Sequence, residues 1–206
     1  MKDRFRLPLD AVEAIIPGTF YGAHLRVEKD ALWAWPPDEW RFSGPDAQFK
    51  EQFANIDCTG LGVIYVATGT PDVVEQFVVD LEQHRAKTTT ARATMPHVVT
   101  KYDLLQGSDR QRLDSLTFDQ QALVDFLVLF RSSAFMGVAH SSFPWNIALR
   151  RHEMSRYTQY GNEGSALLCD EFSVIMGMAA DYPHVDPFVY GLSDSDQRGS
   201  GGSASV

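Results

Sequence analysis

The chain has few cysteines, no long apolar run and fewer basic than acidic residues. Cys58 and Cys169 are the two cysteines among 206 residues, which excludes a disulfide-rich scaffold. No window approaches the roughly 18 apolar residues of a membrane helix, and the first residues, MKDRFRLPLD, lack an apolar signal core. We therefore expect a soluble chain without a secretion signal. The net charge of -9 argues against sequence-independent nucleic-acid binding.

Two site motifs are missing as well. Gly60 and Gly62 precede a predicted strand, whereas the glycines of a dinucleotide fingerprint follow one. The serine pair at 141–142 is not set in G-x-S-x-G, so a serine hydrolase with His140 or His152 as its base is the least favoured alternative. No cluster of metal-ligating residues is evident in the sequence, and we expect no metal and no other cofactor.

The residues that are present suffice for one α/β domain. Hydrophobic residues make up 44% of the chain, enough for one sizeable core, while the length excludes two complete doubly wound domains. Strand-like and helix-like segments alternate, which is typical of a Rossmann-like parallel sheet with helices on both faces. The predicted strands are Phe20–Val27, Leu61–Ala67, His97–Lys101 and Ala134–Ala139. The predicted helices are Asp46–Asn55, Pro71–Arg85, Phe118–Arg131 and Phe143–His152.

Composition gives the domain boundaries. We interpret residues 1–17 as an N-terminal extension and 18–192 as the domain. Residues 193–206 form a Gly/Ser-rich segment that is almost free of apolar side chains, which predicts a disordered tail. Residues 30–45 are rich in tryptophan and proline and are expected to form an ordered aromatic loop. Residues 153–192 show no clear pattern.

Polar side chains follow two of the predicted strands at the edge where parallel sheets bind ligands. One strand delivers His24 and Arg26, and another leads through His140 into Ser141 and Ser142 at a predicted helix start. Hydroxyls and free backbone N–H groups at a helix start favour an anion. A guanidinium adds a fixed fork of donors. Together these features predict a site for a phosphate or a diphosphate.

Asp125 is a carboxylate within the apolar part of the predicted helix Phe118–Arg131. A buried acid usually has a partner or a task. An acid on the solvent face of the helix needs neither. The sequence leaves both interpretations open.

Structural interpretations of the same residues also remain open. Arg26 is a candidate ion-pair partner of Glu28 or Asp30, and His24 is a candidate core histidine. One serine of the pair is a candidate N-cap, and Phe143 could belong to the core. We interpret the run Arg150, Arg151 and His152, with Arg156, as a solvated helix end.

Three features of the sequence together resemble a known family. They are the segment HLRVEKD at residues 24–30, Asp125 before the last predicted strand, and SSF at 141–143 after it. The sequence resembles the C-terminal half of the GDP-fucose protein O-fucosyltransferases and their fungal and plant relatives, over roughly residues 18–152. Those enzymes have the GT-B architecture, in which two Rossmann-like domains face each other. The resemblance implies that this domain is equivalent to the C-terminal, donor-binding half.

The resemblance also implies roles for the nucleotide-binding residues. Arg26 resembles the arginine that holds the β-phosphate, and it would be catalytic by stabilising the departing GDP. His24 resembles the histidine on the nucleotide side. Asp125 resembles the acid that reads guanine, where a carboxylate can accept two N–H bonds from the Watson–Crick edge.

Five further residues resemble parts of the same site. Ser141, Ser142 and Phe143 are similar to the loop that wraps the diphosphate. Glu28 and Asp30 match the acidic end of the plant form of the motif, where they would support the arginine. No metal is required by this arrangement.

Two departures from the family pattern qualify the implied function. Almost nothing precedes Phe20, whereas a GT-B enzyme has an N-terminal domain that contacts the acceptor, and Pro144 replaces the small polar residue expected after SSF. The implied function is binding of a GDP-sugar and, if the chain is complete, transfer of fucose to a hydroxyl of a protein or glycan acceptor. The alternative is an inactive nucleotide-sugar-binding or interaction module. Family members usually work in the secretory pathway, but the sequence leaves the compartment open.

Overall fold

A parallel sheet lies at the centre of the protein. The structure, a computed structural model, describes residues 18–38, 42–88, 94–138, 140–161 and 173–176, with only the backbone described for 152–161 and for 174 and 175. Within these ranges the sheet has five strands: β1 (Tyr21–His24), β2 (Val63–Ala67), β3 (His97–Val99), β4 (Ala134–Val138) and β5 (Ser173–Met176). Their order is β3-β2-β1-β4-β5, and every neighbouring pair is parallel.

Helices connect the strands. In the described ranges these are α1 (Lys29–Ala34), α2 (Pro45–Thr59), α3 (Asp72–Thr88), α4 (Lys101–Leu104), α5 (Gly107–Asp114), α6 (Phe118–Phe130) and α7 (Ser142–Gly161). Local sequence explains their ends. Helix α2 starts with proline at its first position and ends at Gly60, whose φ of 63° is left-handed and suits glycine. The side chain of Gln120 accepts the Thr117 N–H at 3.1 Å, which fixes the start of α6.

Helices cover both faces of the sheet. Strand β2 shows the alternation: Ile64 and Val66 face one core cluster, and Tyr65 and Ala67 face the other. Helices α2 and α3 pack on the first face, and α6 and α7 pack on the second. The strands are apolar and buried almost throughout, as expected when both faces are covered. The predicted α/β Rossmann-like sheet with helices on both faces is therefore confirmed.

The strand order reverses direction at β1. Strand β1 pairs with β2 on one side, where His24 lies beside Ala67, and with β4 on the other, where Ala23 lies beside Met136. The chain moves outward through β2 and β3, and then returns to the other side of β1 as β4. In open α/β sheets such a reversal leaves a crevice at the carboxyl ends of the two strands, where ligands bind.

The predicted elements are present with shifted bounds, and several elements were missed. The prediction of an aromatic loop over residues 30–45 is wrong at its start, because residues 29–34 form α1, which ends just before Pro36. Lys101 was predicted to end β3 but begins α4. Thr100 caps this helix: its hydroxyl accepts from Tyr102 N–H at 3.2 Å, and its own N–H donates to Asp103 at 2.8 Å.

The prediction of a solvated cationic helix end at 150–152 is wrong at its centre. Arg150 is exposed, but the side chain of Arg151 is 1% exposed. Its guanidinium donates to the backbone oxygen of Ser132 at 2.5 Å and to Ser173 Oγ at 2.8 Å. Arg151 therefore links α7 to the turn before β4 and to β5.

Some predictions fall outside the described residues: the extension at 1–17, the tail at 193–206, the proposed strand end at Ala139 and most of 153–192. In the part of the chain that the structure does describe, no helix is both long and apolar enough to cross a membrane.

Candidate functional site

A cavity of about 410 Å³ lies at the carboxyl edge of the sheet, lined by residues at or after the ends of β1, β2, β3 and β4. Seven of the eight residues selected from the sequence contribute to its lining: His24, Arg26, Glu28, Asp30, Asp125, Ser141 and Phe143. They come from three separate stretches of the chain. Ser142 lies outside this lining and borders a second, shallower cavity between α6 and α7.

Two carboxylates hold the guanidinium of Arg26. Its Nη1 donates to Glu28 Oε2 at 2.6 Å, and its Nη2 donates to Asp30 Oδ2 at 2.6 Å. Partial burial lowers the pKa of Arg26, but hydrogen bonds and charge from the two acids outweigh this and raise it. The bond to Arg26 lowers the pKa of Asp30. The ion-pair interpretation of Arg26 is thus observed, and the same side chain lines the cavity.

Glu28 joins two loops at the cavity. Its second oxygen, Oε1, accepts the backbone N–H of Gly69 at 2.7 Å. Gly69 has no room for a side chain, because a Cβ there would lie 2.6 Å from Glu28 Oε1 and 2.9 Å from Phe118 Cζ. The contact therefore fixes the loop after β2 against the loop after β1.

Helix α2 holds the backbone of Arg26 in place through the side chain of Gln48. The buried side chain of Gln48 accepts the Arg26 N–H at 3.0 Å and donates to the Arg26 carbonyl oxygen at 3.0 Å. These two hydrogen bonds satisfy the backbone N–H and C=O of Arg26 just beyond the end of β1. They therefore fix the point from which the Arg26 side chain projects.

His24 ends β1 as a buried, neutral ring. Burial lowers its pKa to about 3, with smaller contributions from the positive charge of Arg26 and from His140. The ring of Phe143 stacks on it with centroids 4.7 Å apart. No hydrogen-bond partner for His24 Nδ1 is found among the described residues. His24 thus presents an uncharged aromatic surface to the cavity.

Asp125 is buried and has two internal partners. Its Oδ1 accepts from the hydroxyl of Tyr65 at 2.7 Å, and its Oδ2 accepts from Lys101 Nζ at 2.5 Å. Burial raises the pKa of Asp125, while Lys101 opposes the rise. The interpretation as a solvent-facing acid is wrong, because the residue is 5% exposed.

One face of α6 forms the wall around Asp125. Four residues of α6 line the cavity, at spacings of three, four and seven from the first of them, which place them on one side of the helix. They are Phe118, Gln121, Ala122 and Asp125. Phe118 is 66% exposed at the mouth. Lys101 and Tyr102 complete this end of the cavity.

The serine pair divides into two different environments. A tight turn follows β4, in which Ser141 N–H donates to the oxygen of Val138 at 3.2 Å, and Ser141 Oγ accepts from Phe143 N–H at 3.4 Å. Ser141 is thus the N-cap of α7 and also lines the cavity. The helix start packs closely on β4, because a methyl group at Gly137 would overlap the ring of Pro144.

The cavity is lined by more acidic than basic side chains. Two cations, Arg26 and Lys101, stand against the carboxylates of Glu28, Asp30 and Asp125, and each cation is already paired. An anionic ligand must therefore compete with Asp30, which is the most exposed of the acids at 71%. Within the described ranges, no three side chains of His, Cys, Asp or Glu are grouped for a metal ion.

Several cavity residues escaped the sequence reasoning. Lys101 follows β3 just as Arg26 follows β1, so the rule that selected Arg26 could have selected it. Phe118 and Gln121 lie at helical spacing from Asp125 and could have been found from it. Gln48 gave no sequence signal, because its role depends on the packing of α2 below β1.

Comparison with known proteins finds no matching family model, no matching curated protein and no matching solved structure. The resemblance to O-fucosyltransferases therefore stays a prediction.

Proposed function

We propose that the cavity binds a nucleoside diphosphate sugar, with GDP-fucose as the donor that the resemblance implies. The domain would then be the donor-binding half of a GT-B-like glycosyltransferase. One observation carries the proposal. Residues from three distant segments were predicted to bind one ligand, and they line one cavity at the point where the strand order reverses. These residues are His24 and Arg26, Asp125, and Ser141 and Phe143.

The diphosphate would lie at the Arg26 end of the cavity. Glu28 keeps the guanidinium aligned and is itself anchored by the N–H of Gly69, whereas Asp30 is exposed and can be displaced by a phosphate oxygen. The cap of α7 at Ser141 borders the same end, where a helix start favours an anion.

In the proposed reaction the bond between the anomeric carbon of fucose and the β-phosphate oxygen breaks. An acceptor hydroxyl oxygen forms the new bond to that carbon, and GDP and a proton are released. Arg26 would stabilise the charge that develops on the departing diphosphate. The acceptor, a protein or glycan hydroxyl, would require surfaces beyond this cavity.

The existing charge pairs favour a second candidate, an inactive binding or interaction module. Both cations of the cavity have carboxylate partners within the chain, so neither presents an uncompensated positive charge to a ligand. The serine hydrolase alternative gains no support from either serine, because Ser141 is buried with its oxygen capping α7, and Ser142 lies outside the lining of the cavity.

Calorimetric titration with GDP, GDP-fucose and UDP tests the proposal. We expect the two guanine ligands to bind more tightly than UDP. Arg26→Ala should weaken GDP binding by roughly tenfold or more, the effect of losing a charge-assisted hydrogen bond. Arg112→Ala on the exposed surface of α5 is the matched control and should leave the affinity unchanged. Absence of binding by all three ligands, or equal affinity in Arg26→Ala, would reject it.

A further inference from the structure

Lys101 is a buried cation that the proposed function leaves without a role. Its side chain is 6% exposed and lines the same cavity as Arg26. Its Nζ lies 2.5 Å from Asp125 Oδ2 and 5.0 Å from the centroid of the Tyr102 ring. Tyr65 holds the other oxygen of Asp125 at 2.7 Å. Three residues from β2, α4 and α6 thus form one hydrogen-bonded chain in the cavity wall.

The position of this chain separates it from the phosphate end. Strand β2 lies between β1 and β3, so the carboxyl ends of β1 and β3 are roughly 10 Å apart at the usual strand spacing. Arg26 follows β1 and Lys101 follows β3 by two residues each. A nucleotide with its diphosphate at Arg26 would place its base toward Lys101.

Donor capacity distinguishes Lys101 from Asp125 at this end. An ammonium group has three N–H donors, and the bond to Asp125 takes one of them. The carboxylate of Asp125 already accepts one strong bond at each oxygen. Each oxygen of Asp125 keeps a second lone pair, and the ammonium keeps two N–H donors. Of the two groups, only the ammonium can donate to a carbonyl oxygen of a ligand.

We propose that Lys101 donates a hydrogen bond to the carbonyl oxygen O6 of the guanine base and so determines base specificity. Asp125 and Tyr65 are positioning residues that hold the ammonium in place. The inference rests on the proposed function and deepens it, since the resemblance gives base reading to Asp125 alone. Guanine presents an acceptor at this position, whereas adenine presents an amino donor that would oppose the ammonium.

Replacing one ligand atom tests this with the unaltered protein. In 6-thio-GDP a sulfur, which is a weak acceptor, takes the place of O6, while the N–H groups of the base remain. We expect calorimetry to show that GDP binds about tenfold or more tightly than 6-thio-GDP. ADP should bind at least as weakly as the sulfur analogue.

Variants test whether Lys101 causes the preference for GDP over 6-thio-GDP, which we call the sulfur effect. Lys101→Met leaves Asp125 buried without its cation and could prevent folding. The double variant Lys101→Met with Asp125→Asn removes both charges, and it is measured in the same way. In either variant the preference for GDP over 6-thio-GDP should disappear. Asp125→Asn alone should reduce it, because the ammonium is no longer held. Lys50→Met on the exposed face of α2 should retain the full preference.

The outcomes separate this inference from the proposed function. If GDP binds in an Arg26-dependent manner but the sulfur effect is absent, or persists in the double variant, then the role of Lys101 is wrong and the proposed function stands. If the protein binds none of GDP, ADP and UDP, both are overturned.

Discussion

The rings of His24 and Phe143 lie stacked, with centroids 4.7 Å apart and planes inclined by 22°. The contact joins the end of β1 to the first turn of α7, and so it sets the distance between the two segments that frame the cavity. Since burial keeps the imidazole neutral, the contact is a stack of two uncharged rings. It brings together the two motifs that carried the functional prediction.

The neutral state of His24 predicts a pH dependence of stability. Burial lowers the folded-state pKa from 6.5 to about 3, so between these values the unfolded chain binds a proton that the folded chain does not. Stability should therefore fall as the pH is lowered through this range, by about 1.4 kcal/mol per pH unit. Urea unfolding from pH 7 to pH 4 should show a shallower fall in His24→Phe. Parallel curves for the two proteins would contradict the prediction.

The two acids that hold Arg26 should affect ligand binding in opposite directions. Glu28 aligns the guanidinium and is anchored by Gly69, so Glu28→Ala should weaken GDP binding by roughly tenfold, through lost preorganisation. Asp30 is exposed and competes with the phosphate, so Asp30→Asn should make binding tighter. Titration calorimetry on the two variants and the wild type measures both effects. A loss of affinity in Asp30→Asn would show that this acid supports the ligand.

Gly69→Ala should reproduce the binding defect of Glu28→Ala. The added methyl group would lie 2.6 Å from Glu28 Oε1 and 2.9 Å from Phe118 Cζ, so both side chains must move, and we expect the bond from Glu28 to Arg26 to be lost. Because Glu28 is flexible and Phe118 is 66% exposed, the melting temperature should change little. Gly62→Ala, which meets no atom within 4 Å, is the matched control. Normal affinity in Gly69→Ala would mean that the loop adapts without releasing Arg26.

The sequence predicted the sheet because its strands are buried on both faces and carry strong patterns. VIYVA and AFMGV are continuous apolar runs, which is typical of strands that are covered on both faces. Short elements were harder to predict. Helix α4 has four residues and depends on the reciprocal cap between Thr100 and Asp103. Strand β5 also has four residues, too few for the pattern of its sequence to identify it without its pairing to β4.

Positions after strands identify candidate site residues, whereas the pairing of those residues depends on packing that the sequence does not show. Arg26 and Ser141 were found by their positions after buried strands. Asp125 was selected, but its partner Lys101 lies 24 positions earlier in the chain, and nothing local links the two. The charge balance of the cavity was not predictable either, because it depends on which acids reach which cations.

Arg151 should be among the most important side chains for stability, although its sequence neighbourhood suggested a solvated surface. It donates to the carbonyl oxygens of Phe130 and Ser132 and to Ser173 Oγ. Arg151→Met would leave these buried acceptors without their donor, at a cost of about 3 kcal/mol or more.

The neighbouring residue provides the control for this prediction. Arg150 is exposed and its guanidinium carbon lies 5.9 Å from the centroid of the Phe126 ring, so Arg150→Met should cost about 1 kcal/mol at most. Urea unfolding compares the two variants. Hydrogen exchange at residues 173–176 should also accelerate in Arg151→Met alone, because Arg151 ties β5 to the rest of the sheet. Equal stabilities would mean that backbone pairing with β4 holds β5 without Arg151.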